Sequence, residues 1–139
     1  MSAAPQSDAA GLPVRPGEEP WTAAELERVR AELQAEAEGL RADIAKVVSD
    51  LAAGRDGAVR DAGDDEADAG TKAFERDHEL ALTQNARDLL EQGERALGRI
   101  DAGTYGVCES CGQPIGKARL LAFPRATLCV ACKQRQERR

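Results

Sequence analysis

Two Cys-x-x-Cys pairs near the C-terminus constrain this chain more than any other feature. They are Cys108-Glu-Ser-Cys111 and Cys129-Val-Ala-Cys132, the only cysteines in 139 residues, and seventeen residues separate the pairs. Each pair turns two thiolates toward one point. Two pairs complete a tetrahedron of sulfurs about 2.3 Å from a zinc ion. Four protein ligands leave no open coordination position, so the spacing predicts one structural zinc per chain rather than a catalytic one. A thioredoxin-like redox pair needs a single such motif opening a helix after a strand. Two structural disulfides suit a secreted domain, but no secretory signal pattern is present. An iron–sulfur cluster usually has different cysteine spacing. A redox role is secondary, since oxidising the thiolates would eject the metal.

The rest of the chain cannot supply a large globular core. Trp21, Phe74, Tyr105 and Phe123 are its only aromatic residues. Ala, Leu, Glu and Arg dominate the middle, the composition of long paired helices. No apolar run is long enough to span a membrane. With no basic-then-apolar leader pattern, the expected location is cytoplasmic. Net charge is −6, divided into −11 before Cys108 and +5 from Cys108 onward. An acidic body with a basic tail argues against direct sequence-specific nucleic-acid binding, which calls for a broad basic face.

Residues 1–20 contain Pro5, Pro13, Pro16 and Pro20 among Gly, Ser and Ala, and are expected to be a disordered tail. Thr22-Ala-Ala-Glu25 reads as a capping box. A helix is expected from there to about Ala53. Its stripe is Leu33, Ala37, Leu40, Ile44, Val47 and Leu51, at alternating steps of four and three. That is heptad spacing, so the stripe faces a partner helix. Gly54 and Gly57 are expected to end this helix. A second helix is expected from about Glu66 to Ile100, its stripe drawn from Phe74, Leu82, Ala86, Leu89, Ala96 and Ile100. Gly103 suits a left-handed position just past its end. Two such helices joined by a short linker pair antiparallel. The expected fold is mostly α: an antiparallel two-helix coiled-coil hairpin over 21–103, then a small four-cysteine zinc-finger module over 104–139 with a short basic C-terminal helix. The hairpin is expected to be an elongated monomer, because closing a short loop costs less than recruiting a second chain.

The hairpin tip, near 54–68, is crowded with acid: Asp56, Asp61, Asp64, Asp65, Glu66 and Asp68. Physically this is either a solvated loop or a set of carboxylates carried to something cationic. His78 reads as a surface histidine, and the basic C-terminus as a solvated helix end.

The stretches Ile100-Asp-Ala-Gly-Thr-Tyr-Gly-Val-Cys-Glu-Ser-Cys-Gly-Gln-Pro-Ile115, Arg119-Leu-Leu-Ala122, Pro124 and Leu128-Cys129 resemble the DksA/TraR family of RNA polymerase-binding regulators. The resemblance is clear from about Asp65 to Cys132 and extends to the first helix by architecture. It implies a transcription regulator that is not an enzyme. The hairpin would enter the secondary channel of RNA polymerase and the acidic tip would modulate initiation. The family's Asp-x-x-Asp-x-Ala tip motif falls on Asp65-Glu-Ala-Asp68-Ala-Gly70, with Gly70 in place of the alanine. The following stretch to Arg76 is more similar to Gram-positive members. In members that respond to guanosine tetraphosphate, cations on the second helix and the zinc module help bind it. Two of these positions are Gln92 and Phe123 here, and only Lys133 keeps its charge. Losing two cations argues against alarmone synergy by that route. The competing functional reading is a zinc- or thiol-redox-sensing regulatory protein, in which metal loss releases a partner.

Overall fold

A reciprocal pair of hydrogen bonds starts the first long helix. Glu25 N–H donates to Thr22 Oγ1 at 3.1 Å, and Thr22 N–H donates to Glu25 Oε1 at 3.0 Å. This is the expected capping box, satisfying two amide donors that the first turn leaves unpaired. The computed structural model describes the backbone of residues 9–58 and 66–138 and the side chains of 9–53 and 70–138. Four helices are described: α1 (Ala23–Ala58), α2 (Glu66–Ala102), α3 (Lys117–Ala122) and α4 (Val130–Glu137). Among the described residues the only β pairing is an antiparallel bridge between Val107 and Pro114.

α1 runs past Gly54 and Gly57, where the sequence was expected to end it. A glycine inside a helix costs roughly 1 kcal/mol against alanine, which weakens a helix without breaking it. α2 ends as expected. Gly103 has φ 78° and donates to Ile100 O at 3.2 Å, while Thr104 N–H donates to Arg99 O at 2.9 Å. Only a residue without Cβ takes that left-handed turn freely.

The described residues gather into two compact units. One is drawn from Met1–Glu36 and Gln92–Arg139, the other is Ala37–Glu91. In the first unit the start of α1 meets the end of α2. Leu26, Val29 and Leu33 share one core with Ala96 and Ile100, and Arg30 pairs with Asp101 at 2.6 Å. The two helices are therefore antiparallel. The same core takes in Tyr105, Ile115 and Leu120 of the zinc-finger segment. Trp21 and Tyr105 meet with ring centroids 6.0 Å apart at 59°, a tilted geometry that aromatic pairs favour.

The described part of the segment expected to be a disordered tail differs from that expectation, while residues 1–8 lie outside the described residues. Residues 9–20 are not a loose tail. Ala9 and Leu12 are buried, Val14 packs against the core, and Glu18 bonds to α3. Proline content made the segment read as unstructured. Its few apolar side chains nevertheless find a face that the small zinc module leaves uncovered.

In the second unit the α1 stripe is as expected, with Ala37 buried and Leu40, Ile44, Val47 and Leu51 half-buried. The α2 stripe is only partly as expected. Phe74 and Leu82 are 75% and 55% exposed, whereas Thr83 is buried. From residue 83 onward the inward positions include Thr83, Ala86, Leu89, Leu90, Gly93, Ala96, Leu97 and Ile100, so Ala86, Leu89, Ala96 and Ile100 of the expected stripe do face inward. Traced backward from Thr83, that phase falls on Glu79, Arg76 and Lys72. Phe74 and Leu82 are out of phase with it, and one helix cannot turn both sets inward. The Thr83 hydroxyl donates to Glu79 O at 2.8 Å, which satisfies it in this semi-buried position. His78 is exposed, as expected. No described helix is long and apolar enough to cross a membrane.

Candidate metal centre

Each Cys-x-x-Cys pair is held by a different local device. The first sits in a tight knuckle. Cys108 N–H donates to Gln113 O at 2.8 Å, Gly112 N–H to Cys108 O at 3.0 Å, and Ile115 N–H to Gly106 O at 2.8 Å. The reversal depends on Gly106 and Gly112, with φ 97° and 76°. The second pair opens α4. Cys129 is its N-cap and Cys132 lies in its first turn. A helix N-terminus presents free amide donors and positive partial charge, which favour thiolates. A hydrogen bond from Glu109 N–H to Thr127 O, 2.9 Å, ties the two devices together.

The four sulfurs converge. The Sγ atoms of Cys108, Cys111, Cys129 and Cys132 all lie within 4.8 Å of one another, and Cys111 Sγ is 3.8 Å from Cys129 Sγ. Zinc–sulfur bonds of 2.3 Å at tetrahedral angles put sulfurs about 3.8 Å apart, so the cluster fits that ion. Cys108, Cys129 and Cys132 are buried, while Cys111 is exposed.

The electrostatics fit as well. Burial resists ionisation of Cys108, but backbone N–H donors of Cys129, Cys111 and Ser110 outweigh it and bring the thiol down to about 6. Cys129 is also lowered, chiefly by the N–H of Cys132 against the effect of burial. Cys132 goes the other way. Ser110 favours its thiolate, but the neighbouring cysteines and burial push it up to about 11. Four crowded thiolates repel one another, and a divalent cation at their centre removes that obstacle. Arg135 adds positive charge from outside, with Nη2 3.8 Å from Cys132 Sγ. When bound, zinc supplies cross-linking rather than reactivity: it joins a knuckle to a helix end in a segment too small to fold on apolar burial alone.

Further contacts fasten this centre to the helical base. Arg95 and Arg99 of α2 both reach Glu109, inside the first pair, at 2.8 and 3.2 Å. Arg99 also donates to Val107 O at 2.5 Å. Tyr105 donates its hydroxyl to Pro124 O at 2.8 Å, and burial holds its phenol well above the usual range. Arg119 Nε donates to Leu128 O, and Arg125 pairs with Glu36 of α1. None of these tethers was read from the sequence. Each joins residues from different local elements, and charged residues there look like any other solvated surface.

The structure brings Gln92, Phe123 and Lys133 to one cleft of about 500 Å³, which Arg95, Arg119 and Arg125 also line. Arg119 lies over the Phe123 ring at 5.7 Å. The cations lost at Gln92 and Phe123 therefore have basic neighbours, although Arg95 and Arg125 are already paired with carboxylates. Of the tip residues, Asp65 lies outside the described residues, and so does the side chain of Asp68. Gly70 is exposed within α2, and a Cβ there would meet nothing within 4 Å.

Residues 103–138 match a family described as the prokaryotic dksA/traR C4-type zinc finger. Over 119 residues the chain is 34% identical to the RNA polymerase-binding transcription factor DksA of Escherichia coli strain K12. The match covers 86% of this chain and 76% of that protein. The chain belongs to the DksA/TraR family. Another relative bearing the same name, from Caulobacter vibrioides, is 43% identical over 75 residues, which is 54% of this chain and about half, 53%, of that protein. Among solved structures, transcription factor DksA2 from Pseudomonas aeruginosa matches with a TM-score of 0.65 and 36% identity, covering 83% of this chain and 84% of that one. As a DksA/TraR member with four clustered cysteines, the chain carries one structural zinc.

Proposed function

We propose that this protein is a regulator of transcription that binds RNA polymerase. The observation that carries the proposal is the 34% identity to an RNA polymerase-binding transcription factor across 86% of the chain. The antiparallel hairpin with its zinc-finger base agrees with it, as does the likeness to DksA2. The same findings favour this reading over a zinc- or thiol-sensing one.

Within this reading, Cys108, Cys111, Cys129 and Cys132 are the four zinc ligands, and their role is structural. The hairpin enters the secondary channel and delivers Asp65 and Asp68 toward the catalytic region, with Gly70 setting the stiffness of the start of α2. The protein catalyses no reaction, reads no DNA sequence directly, and acts as a cytoplasmic monomer. Gln92 and Phe123, where responsive members carry cations, argue against alarmone synergy at the cleft they share with Lys133.

Core RNA polymerase from the source organism provides the test. Tagged zinc-loaded protein should retain it from purified components, and the retained protein should be monomeric by mass. No retention at micromolar concentrations of both would remove the proposal.

A further inference from the structure

The segment between Leu12 and Trp21 is fastened to the zinc-finger module in an unusual way. α3 has Gly116 at its N-cap and no side chain of its own to satisfy its first amides. Glu18, about a hundred residues away in the chain, does so instead. Its Oε1 accepts the N–H of Lys117 at 2.9 Å, and its Oε2 accepts the N–H of Ala118 at 2.9 Å. The same Oε1 accepts Arg15 N–H at 2.8 Å, which shapes the segment into a turn. Lys117 returns the contact. Its Nζ reaches Glu25 at 2.7 Å and Pro20 O at 3.2 Å, and lies 5.9 Å from the Trp21 ring centroid.

Two further observations concern Arg15, the second of them beside the metal centre, and a third concerns Lys117. The aliphatic part of Arg15 covers Gly116, where a Cβ would stand 2.9 Å from Arg15 Cδ. Arg15 also lines one cavity with Cys111, Cys129, Cys132 and Arg135. Finally, Glu25 is the reciprocal member of the α1 capping box, so Lys117 connects α3 to the first turn of α1. The knuckle that positions Gly116 and α3 is closed by the first cysteine pair. Metal binding in so small a module is also folding energy.

We propose that residues 9–21 form a zinc-coupled strap. The bound metal holds the α3 amides where Glu18 caps them, and the docked strap in turn slows the metal's departure. By linkage the coupling is reciprocal. Metal loss therefore does more than loosen the finger. It frees the strap, uncovers Trp21, and removes Lys117 from the start of α1.

Trp21 is the only tryptophan, and it is buried with no partner for its indole N–H. Its emission reports the strap directly. The experiment uses full-length zinc-loaded protein challenged with excess chelator, following zinc release with a chromogenic zinc indicator and Trp21 emission in parallel. In the unaltered chain, zinc release and a red shift of Trp21 should proceed with one rate constant. Glu18→Ala should release zinc faster by about fivefold or more. Glu18→Gln, which keeps size and can still accept, should fall between the two. Glu36→Ala, which removes an ion pair to the finger outside the strap, should release zinc at close to the unaltered rate. The proposal is overturned if Trp21 stays blue-shifted after the zinc has gone. It is equally overturned if Glu18→Ala releases zinc no faster than Glu36→Ala. Should Glu18→Ala fail to fold, Glu18→Gln against Glu36→Ala decides the matter by the same comparison.

Discussion

At the scale of single residues, two glycines with opposite surroundings make a pair of predictions. Gly70 lies in a helix with open space around it. Gly70→Ala should raise stability by up to about 1 kcal/mol, read by thermal unfolding. Gly116 has φ 112° and the Arg15 side chain against it. Gly116→Ala combines backbone strain with a clash, and should destabilise the finger by about 1–3 kcal/mol. Glu18 makes a pH prediction. The N–H of Ala118 holds its carboxyl below the ordinary value of 4.5, against burial, with help from Arg15 and Lys117. A carboxyl depressed in the folded state stabilises fully above its unfolded value, and that benefit fades as pH falls through the folded value. The stability gap between the unaltered chain and Glu18→Gln should be full at pH 7 and narrow as pH falls below 4.5 and through the lowered folded-state value. A gap that does not narrow on acidification would contradict the assignment. Cys111→Ser should abolish zinc retention by elemental analysis and unfold the finger while much of the helical signal survives, because metal binding there is folding energy.

At the scale of elements, the register of the hairpin separates what periodicity reveals from what it does not. The α1 stripe through Leu40 and Val47 was legible because every inward position is apolar. The α2 stripe was legible at Ala86, Leu89, Ala96 and Ile100 but not ahead of them, where Thr83 faces inward while Phe74 and Leu82 face outward. At Phe74 and Leu82 apolar identity pointed to the wrong phase, and only the partner helix selects the right one. Leu40→Asp puts a charge into the seam and should cost at least about 2 kcal/mol in chemical denaturation. Leu82→Gln should stay within about 0.5 kcal/mol. Equal losses from the two would show that the register is wrong. The zinc centre was legible for a different reason: the ligands are adjacent in pairs, so spacing alone carries the geometry. The strap was illegible because Glu18 and α3 are distant in sequence, and prolines suggested a segment with nothing to bury. Leu12 and Trp21 were the available signal, two large apolar residues in a stretch that otherwise had no use for them.

At the scale of the whole molecule, the proposed regulator of RNA polymerase joins a zinc-built base and paired helices to the acidic segment that holds Asp65 and Asp68. The family and fold support the base and the hairpin. The role of the acidic segment is the claim that makes the protein a regulator rather than a bystander on the enzyme. Asp65→Asn with Asp68→Asn removes two charges while keeping size, so loss of effect would not reflect altered packing. The most direct measurement is transcription initiation in vitro with cognate RNA polymerase at a ribosomal RNA promoter, comparing the unaltered protein with this double variant at concentrations where both are bound. The account predicts that the unaltered protein changes the amount of transcript and that the double variant, still bound, leaves it at the level of polymerase alone. An unchanged effect from the double variant would contradict it, and would make the acidic segment a solvated loop.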